Sequence, residues 1–197
     1  SYSDIEYEKS EIYIGNNDYW IVKTDAAGNK QWDKIYGGAL SDHQTAIQQT
    51  ADGGYILGGY SNSPISGNKA GIFKGVVDYW VIKIDANRNV IWDKTIGGQK
   101  GDYLTSIQQT ADGGYIIGGS SNSDQSVQKS ENSKGGYDAW IVKLDGGGNY
   151  VWDKTIGGSA DDKLSMIKEI SPDEYILGFT SNSPKSGDKK KGAIGKA

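Results

Sequence analysis

Hydrophobic and polar residues alternate along short stretches of this chain, and turn-forming residues separate the stretches. The run from Tyr19 to Thr24 alternates and is rich in aromatic and β-branched residues, which is typical of a half-buried β-strand. Runs at 30–36, 45–50 and 55–60 have the same character. Because no segment sustains a period of 3.6 residues, the pattern predicts short strands and no long helix.

Two kinds of tight turn separate these runs. Residues 25–29 (Asp-Ala-Ala-Gly-Asn) form a hairpin loop in which Gly or Asn is expected to adopt a positive φ. Residues 51–54 (Ala-Asp-Gly-Gly) favour the primed turns that suit twisted strands. We predict that Asp25 and its equivalents Asp85 and Asp145 hydrogen-bond the backbone of their own loops and do not bind a metal ion.

The pattern occurs three times with a constant offset of 60 residues. Asp18, at the start of the first strand, recurs as Asp78 and Asp138, and about 29 of 46 positions are identical between 18–63 and 78–123. Such periodicity is typical of repeat architectures. The chain is therefore divided into a tail at 1–17 and repeats at 18–77, 78–137 and 138–197, the last with a basic tail.

Four antiparallel strands in a unit longer than about 40 residues predict the blade of a β-propeller. The predicted fold class is all-β, with three four-stranded antiparallel repeats that form a partial propeller or half of a six-bladed ring. Large flat side chains are expected to fill the wedge between blades. The tryptophans given this structural role are Trp20, Trp32, Trp80, Trp92, Trp140 and Trp152. Tyr19 and Tyr79, replaced by Ala139 in the third repeat, are expected to make exposed contacts.

Composition excludes several classes of function. The chain has no cysteine and one histidine among its 197 residues, which rules out disulfides, thiolate catalysis and a zinc site built from several histidines or cysteines. Its 21 basic and 25 acidic residues give a net charge of -4, without the basic excess of a nucleic-acid binder. No window approaches 18 continuous apolar residues, so no membrane-spanning helix is predicted. We expect no cofactor.

Two motifs resemble a known type of repeat. The sequences GGYIIGG (113–119) and DYWVIKIDANRNVIWDKTIGG (78–98) are similar to the propeller repeats of roughly 60 residues in large exported and surface-anchored bacterial proteins, many of which use type IX secretion. The same order of residues is distantly similar to kelch-type repeats. The resemblance implies an extracellular or cell-surface location. It covers essentially the whole chain, but it does not specify function, because propellers host unrelated activities.

The kelch-type resemblance also implies an order of strands within a blade. The 45–50 run would be innermost, and the strands that contain Trp32, Trp92 and Trp152 would be outermost. The side chains that would then offer amide groups around a central channel are Gln48, Gln49, Gln108 and Gln109.

Three repeats are fewer than the four blades that a propeller usually needs for closure. Residues 1–17 take the place of the loop at 61–77, so the two ends of the chain would each supply half of a blade. Three explanations stay open: further repeats of the same polypeptide, a pair of chains that close a six-bladed ring by exchanging strands, or another assembly.

The longer loops are expected to share one face of the molecule, where binding or catalysis is usually found. Carboxylates on this face could form a calcium ring or a pair of glycosidase acids, but no EF-hand spacing is present, and we expect structural or acidic-rim roles, with no metal and no catalytic residue. A backbone-capping role is predicted for Asp18 and its equivalents. The candidate binding residues are Asp42, His43, Asn62, Asp102, Tyr103, Asn122, Asp161, Asp162 and Asn182.

Three functional hypotheses follow. The first is a non-catalytic binding or scaffold module that recognises a protein or a glycan through the long-loop face. The second is a hydrolase that acts on polysaccharide with carboxylates of that face. The third is a self-assembling unit that closes through its open ends, as a homo-oligomer.

Overall fold

The computed structural model describes residues 9–191, so parts of both predicted tails, 1–8 and 192–197, lie outside the described residues. The described chain contains twelve β-strands in antiparallel pairs and no helix, which confirms the all-β prediction. Between residues 9 and 191 there is accordingly no helix long and apolar enough to cross a membrane. The strands are β1 (Tyr19–Thr24), β2 (Lys30–Tyr36), β3 (Asp42–Gln49), β4 (Tyr55–Ser61), β5 (Asp78–Ile84), β6 (Val90–Ile96), β7 (Asp102–Gln109), β8 (Tyr115–Ser121), β9 (Asp138–Leu144), β10 (Tyr150–Ile156), β11 (Asp162–Ser171) and β12 (Glu174–Ser181).

The sheets do not coincide with the sequence repeats. Two sheets have four strands, in the orders β3-β4-β5-β6 and β7-β8-β9-β10, and two have only two strands, β1-β2 and β11-β12. Each complete sheet therefore takes its first two strands from one repeat and its last two from the next. The first pair of the first repeat and the last pair of the third repeat remain as half-sheets.

Neighbouring sheets are joined along their first strands, β3, β7 and β11. The Thr45 hydroxyl donates to the carbonyl oxygen of Leu104 at 2.7 Å, and the Thr105 hydroxyl donates to that of Leu164 at 2.9 Å. The side-chain oxygen of Gln48 accepts from the backbone N–H of Gln109 at 2.6 Å. Gln48, one of the glutamines expected to line a channel, thus connects β3 to β7 through its side-chain amide.

A tyrosine from one sheet packs on a tryptophan of the next. The rings of Tyr19 and Trp80 are 4.8 Å apart, and the Tyr19 hydroxyl donates to the Trp80 carbonyl oxygen at 3.0 Å. Tyr79 and Trp140 repeat this contact with rings 5.0 Å apart. Both tyrosines are completely buried. The expectation that they make exposed contacts is therefore wrong, because their rings fill the gap between sheets.

The tryptophans occupy two kinds of position. Trp80 is buried and its indole N–H donates to Asp93 at 3.0 Å, and Trp140 donates to Asp153 in the same way. Trp92, on a last strand, meets Tyr115 of the neighbouring sheet edge to face, with rings 5.7 Å apart. The indole N–H of Trp20 likewise donates to Asp33. Trp32 meets Tyr55 edge to face, and Trp152 meets Tyr175 in the same way.

The loop at residues 25–29 is as predicted, whereas the primed turn predicted for residues 51–54 is wrong, because Gly53 has a positive φ of 81° and Asp52 does not. The Gly53 N–H donates to the Thr50 carbonyl oxygen at 2.9 Å, so Gly53 provides the single left-handed position of that turn.

The carboxylate of Asp25 accepts from the backbone N–H groups of Ala27 and Asn29, both at 2.9 Å. The Asn29 side chain, followed by these backbone bonds, lowers the pKa of Asp25. Gly28 has a φ of 85°, and Arg88 takes the equivalent position with a φ of 71°. The backbone role predicted for these aspartates is confirmed.

We predict that the substitution Gly97→Ala destabilises the fold. A β-carbon at this position would lie 2.0 Å from Oδ1 of the buried Asp78 and 2.9 Å from its β-carbon. Such overpacking costs about 2 kcal/mol, which chemical denaturation would measure. Gly178→Ala is the matched control, because its β-carbon would meet a flexible methionine at 3.2 Å. Equal effects of the two substitutions would contradict this account.

Candidate functional site

Strands β3, β7 and β11 each begin with a buried aspartate. Oδ2 of Asp42 accepts from the backbone N–H of Gly38 at 2.7 Å and from the hydroxyl of Ser63 at 3.0 Å. Asp102 and Asp162 have equivalent partners. All three aspartates are almost completely buried, so their carboxylates hold the loop that precedes the strand and are shielded from solvent.

A second series of aspartates lies next to the first. Oδ2 of Asp78 accepts from the backbone N–H of Lys74 at 2.5 Å, which is the capping role predicted for this series. Oδ1 of Asp78 has no hydrogen-bond partner and lies against Gly97, and Oδ1 of Asp102 also has none. Burial, with repulsion from Asp102, raises the pKa of Asp78 to about 6. Burial likewise raises the pKa values of Asp42, Asp102 and Asp138.

Buried lysines accompany these carboxylates at the same 60-residue spacing. Lys69 and Lys129 are almost completely buried, and their ammonium groups donate to backbone carbonyl oxygens of Gly71 and Glu131. Burial lowers the pKa values of both lysines, while nearby aspartates oppose the shift. The full series is Lys9, Lys69, Lys129 and Lys189. Sequence analysis missed it, although the constant spacing was a visible signal.

We predict that the raised aspartate pKa values give the protein an unusual pH dependence. Asp78 binds its proton more tightly when folded, so between about pH 4 and about pH 6 the folded chain binds more protons than the unfolded chain. Its contribution to the free energy of unfolding therefore falls as the pH rises through this window, by about 1.4 kcal/mol for each pKa unit.

The test uses Asp78→Asn, which keeps an acceptor for the Lys74 N–H but cannot ionise. Urea denaturation across this pH range should show a smaller fall in stability for this variant than for the unaltered protein. Asp161→Asn is the control, because a hydrogen bond from the Tyr137 N–H and the Lys163 ammonium lower the pKa of Asp161. If the stability of Asp78→Asn fell with rising pH as steeply as that of the unaltered protein, the role assigned to this carboxylate would be contradicted.

A row of aromatic side chains from neighbouring sheets lies at the same end as these aspartates. His43 is stacked on Tyr60 with ring centres 5.0 Å apart. Tyr60 meets Tyr103 edge to face at 5.0 Å, and Tyr103 meets Tyr137 edge to face at 5.8 Å. The ammonium group of Lys163 lies 5.4 Å from the centre of the Tyr137 ring. We call these five side chains the aromatic row.

Four members of the aromatic row, Tyr60, Tyr103, Tyr137 and Lys163, line an open depression of about 490 Å³, a volume within the usual range for small-molecule sites. Its lining combines aromatic faces with hydroxyl groups, among them those of Thr45, Thr105 and Ser120. Lys163 stands at one end and forms an ion pair with Asp161 at 3.1 Å. The depression can therefore offer stacking surfaces and hydroxyl hydrogen bonds to one ligand.

The structure separates the sequence-predicted site residues into two groups. His43 and Tyr103 belong to the aromatic row, and Asp161 pairs with Lys163 at its end. Asn62 and Asn122 instead use their side-chain oxygens to accept backbone N–H groups of Ser41 and Gly101. The residues that the structure ties into loops are Asp42, Asp102, Asp162, Asn62, Asn122 and, through its backbone N–H, Asn182.

Sequence analysis missed Tyr60 and Tyr137 as members of the site. Both lie at positions where the repeats differ: Tyr60 corresponds to Ser120 and Thr180, and Tyr137 to Val77 and Asn17. The same variation at His43, Tyr103 and Lys163 was visible in the sequence, so comparison of the repeats could have identified the whole row.

No group of three or more histidine, cysteine, aspartate or glutamate side chains that could hold a metal ion occurs within residues 9–191. A search with protein-family models and a search of curated protein sequences each found no match to this chain.

Proposed function

We propose that this protein is a non-catalytic binding module that recognises a carbohydrate through the aromatic row. One observation carries the proposal. Positions at which the three repeats agree serve packing and turns, whereas three positions at which they differ meet in a single depression. The residues that line it at these positions are Tyr60 and its equivalent Ser120, Tyr103 and Lys163 as equivalents of His43, and Tyr137. A repeat scaffold whose variable positions converge in this way is suited to binding one specific ligand.

The chemistry of the lining favours a carbohydrate. A sugar ring has a flat C–H face, which fits an aromatic ring, and a rim of hydroxyl groups, which need donors and acceptors. Tyr60, Tyr103 and Tyr137 combine a broad apolar face with a hydroxyl group. Ser120, Thr45 and Thr105 line the same depression, and the two threonine hydroxyls, which donate to carbonyl oxygens of the neighbouring strands, can still accept hydrogen bonds. The depression is shallow and its main charged pair, Lys163 with Asp161, is already neutralised.

The hydrolase hypothesis is less well supported. A glycosidase needs two carboxylic groups that reach the scissile bond from either side. Asp42, Asp102 and Asp162 are buried and accept backbone N–H groups, and Asp161 is paired with Lys163. Burial keeps Asp42, Asp102 and Asp162 away from a substrate and the ion pair holds Asp161, which favours a binding role.

The same proposal includes the architecture and setting of the module. We propose that the sheets are blades of a β-propeller, supported by the contact of β3 with β7 and of β7 with β11 at one end of the strand order. An exported or cell-surface bacterial protein is the proposed setting, and it rests on the resemblance of the repeats.

We predict that Tyr103→Ala abolishes carbohydrate binding. Tyr103 contacts both Tyr60 and Tyr137, so its loss opens the centre of the row. An array of neutral and uronic-acid oligosaccharides would identify ligands, and isothermal titration calorimetry would measure a loss of at least about tenfold in affinity, or 1.4 kcal/mol.

The matched control is Tyr13→Ala, which removes an exposed tyrosine outside the row. It should bind as the unaltered protein does, and both variants should have similar melting temperatures. Tyr103→Phe should retain most of the affinity if stacking dominates. Failure of every oligosaccharide to bind, with binding of a displayed peptide instead, would overturn the carbohydrate assignment.

A further inference from the structure

The two half-sheets expose edges that are complementary to each other. In the complete sheets β4 pairs with β5 and β8 pairs with β9, each over seven residues and in the same register. Strand β12 is the third copy of β4 and β8, and strand β1 is the first copy of β5 and β9. Within the described residues, β1 pairs only with β2 and β12 only with β11. One chain therefore carries both halves of an unformed junction.

We propose that β12 of one chain pairs with β1 of a second copy of this chain, and that two copies close both junctions. This inference goes beyond the proposed carbohydrate binding and does not depend on it, while the number of copies rests on the proposed propeller arrangement. We transfer the register of β4 with β5 to the equivalent positions of β12 and β1. Tyr175 then lies opposite the second copy's Thr24, and Ser181 lies opposite the second copy's Asp18.

Exposed apolar side chains at the two edges support the pairing. Val22 on β1 is 39% exposed, whereas its equivalents Ile82 and Val142 are completely buried. Ile176 on β12 is 55% exposed, whereas its equivalents Ile56 and Ile116 are completely buried. Pairing would remove this surface from water and satisfy the backbone groups of both edges.

A pocket of about 240 Å³ lies beside the free edge of β12, lined in part by Phe179, Ser181 and Lys189. In a complete sheet, the equivalent of Ser181 is Ser121, which lies opposite Asp138. Burial lowers the pKa of Lys129, and the negative charge of Asp138 opposes this shift. The second copy would bring its Asp18 to the corresponding place, near Lys189.

If the sheets are propeller blades, as proposed above, two copies of residues 9–191 form a ring of the usual size. One copy contributes two complete sheets and two half-sheets, so two copies that share both junctions contain six sheets. Propellers have typically four to eight blades. One self-closed copy would have three and a ring of three copies would have nine. Because the two edges differ, head-to-tail pairing must close into a ring or extend without limit, and two copies give a ring of allowed size.

Each junction has room for one connecting loop. Residues 9–17 correspond to 69–77, and residues 181–191 correspond to 61–71. The two ends therefore overlap where 9–11 of one copy would coincide with 189–191 of the other. We expect residues 9–11 of the second copy to leave their position when the junction forms, so that Lys189 stays in place.

Cysteine cross-linking tests the pairing, because the natural chain contains no cysteine. Lys23→Cys with Ile176→Cys places two thiols at directly opposite positions, within the Cα spacing that a disulfide accepts. Oxidation should give a covalent dimer in a denaturing, non-reducing gel. Light scattering of the unaltered protein should give twice 21.2 kDa.

Two control variants make the result decisive. Thr24→Cys with Ile176→Cys shifts the register by one residue, which turns the thiols to opposite faces, and it should not cross-link. Ile56→Cys with Lys83→Cys, the same pair within a complete sheet, should form a bond within one chain. The proposal is overturned if the protein is a monomer at high concentration. It is also overturned if the Lys23 and Ile176 cysteines bond within one chain, or stay reduced while the complete-sheet pair closes.

Discussion

The packing of a tyrosine from one sheet on a tryptophan of the next is the contact on which the rest of the structure depends. Tyr19 and Tyr79 each bury a ring between sheets and each donate to a main-chain carbonyl oxygen of the tryptophan they touch. The contact therefore fixes both the spacing and the height of neighbouring sheets. The aromatic row relies on this alignment, because Tyr60 and Tyr103 come from adjacent sheets and meet only when their strands are level.

Most of the fold could be predicted from the sequence because local and periodic signals agree. Alternation gives the strands, and the turn residues between them, such as Asp25 and Gly28, have a single well-populated geometry. The burial of Tyr19 could not be predicted in this way. Its loss in the third repeat suggested an unconstrained position, but the partner that buries it lies 61 residues away along the chain.

The candidate site was less accessible to sequence reasoning, for a physical reason. An aspartate at the start of a strand can serve a ligand or its own loop, and the sequence does not distinguish them. Asp42 and Asp102 serve the loop, because hydroxyl and backbone donors from two adjoining segments converge on each carboxylate. The members of the aromatic row are far apart in sequence, so their proximity becomes visible only when the sheets are assembled.

The near identity of the repeats has a consequence for how the chain reaches this arrangement. Strand β4 would find in β9 a partner with the same register and almost the same side chains as β5. Repeat proteins with interchangeable segments commonly populate misassembled intermediates during refolding. The divergent third repeat, with Ala139 and Phe179 in place of Tyr and Gly, makes one unit chemically distinct. Because its side chains differ, the third repeat is less able to take the place of the other two during folding. Sequence divergence within a repeat array can therefore favour the correct order of assembly.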